Sequence, residues 1–254
     1  MDYARKEALH PCVAHRGCSG KAPENTMAAF RMALELPYVK WIELDVHLSR
    51  DGVPVVIHDD TVDRTTNGIG PVSRYSAEEL ARFDAGSWKN PVFAGEGVPT
   101  LDQVLELAAG RCRLNIELKG AASEDGDRLA RRAVEALRAR GMEKEHTITS
   151  FRPDILRAVR RYSAELKIGL IIDERPGDLL ETLRKLDCSV LSIGFRHVDE
   201  KLLRQMSEAS IEVMAWTVNS ASDLRRLGNR PEPFQLCTNY PERWFEALGG
   251  KGKA

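Results

Sequence analysis

The chain has almost no net charge to offer a polyanion. Its 254 residues carry 37 Lys plus Arg against 38 Asp plus Glu, a formal balance of −1, so no broad basic field exists to draw in nucleic acid. A local cationic site for a small anion remains compatible with that balance. Long hydrophobic runs are also missing. The opening MDYARKEALHPCVAHRG has no apolar stretch of a secretory signal, and nothing approaches membrane-spanning length. Cysteine is sparse and scattered, at 12, 18, 112, 188 and 237, without the Cys-x-x-Cys spacing of zinc or redox sites. Cys112 and Cys237, beside or within apolar runs, read as small buried hydrophobes. These absences point to a chain of the reducing cytoplasm with no transmembrane segment.

What is present is an ordinary globular composition, 43% apolar and 30% charged, in a length that buries a full core. Strand-like runs alternate with helical ones throughout. Candidate strands are Cys12–His15, Trp41–Val46, Arg113–Leu118, His146–Ser150, Lys167–Ile172, Ser189–Ile193, Glu212–Thr217 and Gln235–Thr238. Between them, amphipathic helices are expected at 25–36, 101–109, 125–140, 153–163, 177–186, 199–209, 221–227 and 241–248. Thr100 with Gln103 and Ser76 with Glu79 fit capping boxes, the latter for a short helix near 77–83, and Gly141 sits where a left-handed cap is favoured. Eight strand–helix units predict an α/β fold, a (β/α)8 barrel over residues 1–254, with its chemistry at the C-terminal strand ends. No glycine-rich loop follows the first strand, which argues against a doubly wound sheet.

One segment breaks the alternation. Trp41–Val46 is followed by His47–Gly52 and then by another strand, Val53–His58. Six residues hold no crossover helix, and Asp51-Gly52 is a strong two-residue hairpin turn. A β-hairpin is therefore expected above the rim, opening a small insertion at about 47–97 that covers the site. With that turn Arg50 pairs with Val53 and Asp45 lies across from His58, their Cβ atoms ~4.5–5.5 Å apart on a shared face. Ile42, Leu44, Val46 and Leu48 would face outward with Val53, Val55 and Ile57, while Glu43, Asp45, His47 and His58 face inward.

The same parity turns Asn115, Glu117 and Lys119 toward the barrel axis. Glu43, Asp45 and Glu117 would then repel one another unless a cation neutralises them, and their oxygen donors suit Mg²⁺ or Ca²⁺. A rim salt-bridge network with Arg16, Lys119 and Arg50 is the bland alternative. His15 and His58 are the acid–base candidates; His10, His146 and His197 read as merely hydrogen-bonded, and His47 falls between. Arg16 and Lys119 suit phosphoryl oxygens. Glu24-Asn25-Thr26 could cap the first helix, with a carboxylate left to orient Arg16. Trp216, ending the seventh strand, is a core residue or an apolar wall for a glycerol-sized group. Phe151 and Phe195 are weaker versions of the same idea.

These residues in this order resemble the glycerophosphodiester phosphodiesterase family. The likeness runs through His15-Arg16-Gly17, Pro23-Glu24-Asn25-Thr26, Glu43-Leu44-Asp45-Val46, Asp51 to Asp59, Ile116-Glu117-Leu118-Lys119 and Trp216-Thr217-Val218-Asn219. It implies a barrel enzyme that hydrolyses glycerophosphodiesters to glycerol 3-phosphate and an alcohol. It further implies a divalent metal at Glu43, Asp45 and Glu117, acid–base histidines at His15 and His58, and phosphate contacts from Arg16 and Lys119. The last strand, Phe234 to Pro241, departs from the family's Asp-Gly and Thr-Asp-x-Pro pattern, so the resemblance carries over no eighth-loop residue. Lysophospholipase D-like or phosphoinositide-cleaving chemistry on the same barrel is the nearest rival, and a catalytically silent phosphate-ligand binding protein is a rival of another class.

Overall fold

The computed structural model describes residues 2–120 and 123–250. Eight parallel strands close on themselves: β1 (Cys12–His15), β2 (Val39–Leu48), β4 (Arg113–Leu118), β5 (Thr147–Ser150), β6 (Lys167–Ile172), β7 (Val190–Gly194), β8 (Glu212–Trp216) and β9 (Gln235–Thr238), with β1 paired to both β2 and β9. A ninth, β3 (Pro54–Val56), runs antiparallel to β2. Helices α2 (Met27–Leu34), α4 (Leu101–Ala108), α5 (Ser123–Arg138), α6 (Pro153–Tyr162), α7 (Leu179–Lys185), α8 (Glu200–Glu208), α9 (Ala221–Leu227) and α10 (Pro241–Leu248) follow the barrel strands, and α3 (Ala77–Arg82) lies in the insertion. This is the expected (β/α)8 architecture.

Alternation sorts the side chains as predicted. Ile42, Leu44, Val46, Leu114, Ile116 and Leu118 are buried under the helices, and helices such as α6 return Ile155, Leu156, Ala158 and Val159 from one face. The barrel interior is less apolar than usual. Its floor is Val13, Trp41, Met214 and Cys237, but above it Asn115, Thr149 and Ser192 are buried, with Thr149 Oγ1 donating to Asn115 Oδ1 at 2.9 Å. Cys237 is fully buried and Cys112 packs partly buried against the outer core. His10 Nε2–H donates to the Arg230 carbonyl (3.0 Å), and His146 Nδ1 accepts from the Leu114 amide (3.0 Å); His197 is exposed.

Element ends move for local reasons. β2 extends beyond Trp41–Val46 because Val39 pairs with Cys12 and Leu48 with Pro54. α2 begins two residues late: Asn25 has φ +59° and Thr26 is the N-cap, accepting from the Ala29 amide. Both expected capping boxes form, at Ser76–Glu79 and Thr100–Gln103, and Gly141 adopts φ +67° after α5.

The hairpin register is the main correction. His47 pairs with Val55 and Val46 with Val56, and the Ile57 amide donates to the Asp45 carbonyl, so Asp45 lies across from Ile57 rather than His58. The reversal is not a two-residue turn. The Ser49 amide donates to the Val53 carbonyl across Arg50-Asp51-Gly52, with Gly52 at φ +77°: a three-residue loop closed by a left-handed glycine. That extra residue flips the returning strand. Val56 joins the main core, whereas Val55 and Ile57 enter a separate cluster with Val62, Val72, Leu80, Ala85 and Val98 inside the insertion. The insertion also exposes Ile69, Trp88 and Val92, on the turns around 69 and 88–92.

A further helix escaped the sequence pattern. α1 (Tyr3–Leu9) is seven residues long and buries none of them fully, so it carries little periodic signal. It leads into the barrel floor: the Phe234 and Leu236 amides donate to the Leu9 and Pro11 carbonyls. Trp244 Nε1 donates to the His10 carbonyl at 3.0 Å, and Tyr3 meets the Trp244 ring edge-on at 6.3 Å. Trp244 is fully buried, so Trp244→Ala is expected to cost about 3–5 kcal/mol in a urea titration; a loss below about 1 kcal/mol would contradict this packing.

Candidate active site

The cleft at the C-terminal mouth of the barrel is about 250 Å³ and is lined, among others, by His15, Arg16, Glu43, His58, Glu117, Lys119 and Trp216. Adjacent strands build its acidic centre. β2 and β4 run in register, Glu43 beside Asn115 and Asp45 beside Glu117, and the Lys119 amide continues that ladder to the Val46 carbonyl. One oxygen from each of Glu43, Asp45 and Glu117 falls within 4.8 Å of the others, with the residues only 3%, 1% and 7% exposed.

Two cations flank the trio. Lys119 Nζ lies 2.6 Å from Glu117 and 3.0 Å from Asp45; Arg16 Nε lies 3.1 Å from Asp45. Arg16 owes its place to the His-Arg-Gly turn. Its φ is +56°, and its amide donates to both the Glu43 carbonyl at 2.9 Å and the Glu43 Oε2 carboxylate oxygen at 3.0 Å. Gly17 follows at φ +77°, where a Cβ would lie 2.7 Å from the Ala29 carbonyl carbon, so only glycine fits. Glu24 binds Arg16 Nη1 at 2.8 Å, the orienting carboxylate the sequence allowed for.

The histidines come from the end of β1 and from the segment that follows β3. His15 Nδ1–H donates to Asn239 Oδ1 at 2.7 Å, and Nε2 lies 3.8 Å from Glu43. His58 Nδ1–H donates to Asp59 at 2.6 Å, leaving Nε2 for the cleft. His58 reaches the cleft despite the altered register because β3 ends at Val56 and the chain turns beyond it. His47 Nε2 donates to the His58 carbonyl at 3.1 Å, so it fixes the backbone that presents His58 and lies outside this cleft.

Several participants carried little sequence signal. Asn25 Nδ2 donates to Asp45 Oδ2 at 2.8 Å while its Oδ1 accepts from the Asp45 amide at 3.3 Å. Arg64, from the insertion, joins Asp59 (2.7 Å) to Glu24 (2.7 Å) and so couples the partner of His58 to the partner of Arg16. Asn239 comes from the eighth loop, where the family pattern had lapsed. Phe151 lies edge-on to Trp216 with ring centres 5.9 Å apart and lines the cleft, whereas Phe195 packs against the outer core.

Burial sets the electrostatics. It pushes Glu43 well above the ordinary carboxyl range, helped by Asp45 and Glu117, and pushes Glu117 up to about 7 with Asp45 adding to it. Burial would raise Asp45 too, but Lys119 and Arg16 overcome it and hold Asp45 low. His15 is lowered to about 4 by burial and by Arg16. Three hard oxygen donors that cannot all ionise comfortably, in spite of two adjacent cations, fit a divalent cation. Of the eight site residues singled out from the sequence, seven line one cleft, and the eighth, Asp45, is buried against Arg16 and Lys119 at its edge. Because Glu117's folded pKa is raised above its unfolded value, its contribution to metal-free stability is full below about 4.5 and is lost as pH rises through about 7. Glu117→Gln in EDTA should accordingly gain about 1–3 kcal/mol on wild type at pH 8, the gain vanishing toward pH 5; denaturant titrations showing no pH-dependent difference would contradict it.

The sequence profile of the glycerophosphoryl diester phosphodiesterase family matches residues 15–242. The chain is 37% identical over 217 residues to the glycerophosphodiester phosphodiesterase of Caldanaerobacter subterraneus, covering 85% of this chain and 88% of that protein. It is 35% identical over 236 residues to the Bacillus subtilis protein YhdW, covering 91% and 94%. The structure superposes on an Oleispira antarctica phosphodiesterase, solved with the product sn-glycerol-3-phosphate, with a TM-score of 0.86 at 31% identity over 96% of this chain and 98% of that one. The chain belongs to the glycerophosphoryl diester phosphodiesterase family.

Proposed function

We propose that this chain, working as one barrel unit with the insertion as its cover, hydrolyses glycerophosphodiesters to glycerol 3-phosphate and an alcohol, using a divalent metal and two histidines. The observation that carries the reading is the meeting of His15 and His58 around Glu43, Asp45 and Glu117 with Arg16 and Lys119 beside them. A cleft of about 250 Å³ suits a small soluble diester. The five cysteines are free, in keeping with a reducing cytoplasm, and no described helix is long and apolar enough to cross a membrane.

Glu43, Asp45 and Glu117 would hold the cation, Mg²⁺ or Ca²⁺ by its oxygen donors, which when bound offsets negative charge on a phosphate oxygen and acidifies the attacking hydroxyl. Arg16 and Lys119 stand beside the trio as fixed donors to the remaining phosphoryl oxygens, pre-set by Glu24 and Asp45 so that little reorganisation accompanies charge build-up. Asn239 fixes one ring nitrogen of His15 and Asp59 fixes one of His58. Each imidazole therefore offers a single oriented Nε2 for proton transfer. One accepts the proton of the attacking hydroxyl, and the other donates a proton to the departing alkoxide as the phosphorus–oxygen bond breaks. The aromatic ring of Trp216 supplies an apolar wall to the substrate.

Glycerophosphocholine hydrolysis followed by glycerol 3-phosphate release tests this directly. EDTA should abolish turnover and Mg²⁺ or Ca²⁺ restore it. His15→Ala and His58→Ala should each lower kcat by about 10²–10⁴-fold and remove one limb of a bell-shaped pH–rate profile. Metal-independent turnover would remove the carboxylate assignment, and an intact bell in His58→Ala would remove His58.

A further inference from the structure

The cleft has a second half that the acid–base chemistry leaves unused. His15, Glu43, Glu117, Lys119 and His58 all come from the side built by β1–β4. Across the mouth, the ends of β5, β6, β7 and β8 contribute Phe151, Asp173, Gly194 and Trp216. We propose that this half is a subsite for an ammonium-bearing head group, with Asp173 as its counter-charge and the Phe151–Trp216 pair as its aromatic wall. The inference rests on the phosphodiesterase reading and adds to it the class of alcohol released.

Register sets Asp173, Gly194 and Trp216 side by side. Ile172 of β6 pairs with Ile193 of β7, and the next β7 residue, Gly194, pairs with Trp216 of β8. Gly194 thus separates Asp173 from Trp216 without a side chain. A Cβ at Gly194 would make only ordinary contacts, 3.6 Å from the Asp173 carbonyl oxygen and 3.6 Å from His197. Packing therefore does not demand glycine there; its effect is to leave the wall open between the acid and the indole. Phe151 and Trp216 meet at right angles, 5.9 Å between centres, which leaves ring surface facing the cleft that both line.

Charge completes the case. Asp173 lines the cleft and is exposed, and among the described residues no cation pairs with it. The nearby Arg175 is engaged by Asp199 at 3.2 Å, and Arg196 lies over the Phe195 ring. Lys119 approaches the Phe151 ring at 6.0 Å, but its ammonium is held by Asp45 and Glu117. Arg16 is likewise held by Asp45 and Glu24. The mouth thus has its own cations committed to the acidic trio, while an uncompensated acid lines the same half of the cleft as the two aromatic rings. A quaternary or primary ammonium is attracted by both elements at once. A neutral polyol gains from neither. An ammonium two carbons from its phosphate ester oxygen is a short, flexible reach from the ionic half.

The test compares kcat/KM for glycerophosphocholine with that for glycerophosphoglycerol, matched in phosphate and glycerol but differing in head-group charge. The ratio should favour the cationic substrate in wild type. It should fall about fivefold to tenfold in Asp173→Asn, mainly through KM, and further in Asp173→Lys. Because the ratio is internal to each variant, a folding defect does not mimic the effect. A wild-type ratio near one, or a ratio unmoved by Asp173→Asn, overturns the subsite. Wild-type protein inert toward both diesters would instead overturn the phosphodiesterase reading. The subsite is then decided by tryptophan fluorescence: saturable quenching by choline chloride that is absent with glycerol and lost in Asp173→Asn supports it, and its absence in wild type overturns it.

Discussion

Three carboxylates held within 4.8 Å of one another below the rim of a barrel are the constraint around which the rest of the mouth is arranged. Left alone, such a trio would repel itself and resist burial. The fold answers in tiers. Arg16 and Lys119 touch the acids directly, Asn25 clamps Asp45 through both its amide atoms, and Glu24, Arg64 and Asp59 tie the surrounding loops together. Even so, Glu43 and Glu117 remain reluctant to ionise, so the site is electrostatically incomplete without a further positive charge.

That incompleteness is tolerated because the remainder of the barrel is securely packed. Outward-facing residues of β2 and β4 are buried under the helices, and the floor is sealed by Trp41 and Met214 above the α1–α10 contact through Trp244. The inward faces near the mouth are then free to be polar. Strain is concentrated there too, at Arg16 and Asn25, the two non-glycine left-handed residues beside the acidic centre. Both are held by hydrogen bonds to the groups they position, which links local backbone geometry to the placement of charge.

Much of this was legible from residue order. Strand parity alone aimed Glu43, Asp45, Glu117 and Lys119 inward, because a period of two is hard to misread where one face is apolar. The capping boxes and the glycine after α5 were equally readable, being local. The hairpin was not. Asp51-Gly52 is compatible with a two-residue turn and with a three-residue loop ended by the same glycine, and only the packing of Val55 and Ile57 in the insertion selects the second. His58 nonetheless reaches the cleft, since it lies beyond the paired residues. Asn25, Arg64 and Asn239 were the harder cases: each acts across 20 to 224 positions of chain, a separation that no local pattern reports. Asp173 was passed over for the same reason, its meaning coming from Gly194 and Trp216 on other strands.

The central claim is that Glu43, Asp45 and Glu117 share one divalent ion. Anomalous scattering from crystals grown with Mn²⁺ tests it most directly. The account predicts a single strong peak at the barrel mouth, about 2.0–2.4 Å from one oxygen of each of the three carboxylates, and its loss in Asp45→Asn. No peak there, or an ion bound by other residues while Lys119 stays bridged between Asp45 and Glu117, would contradict it.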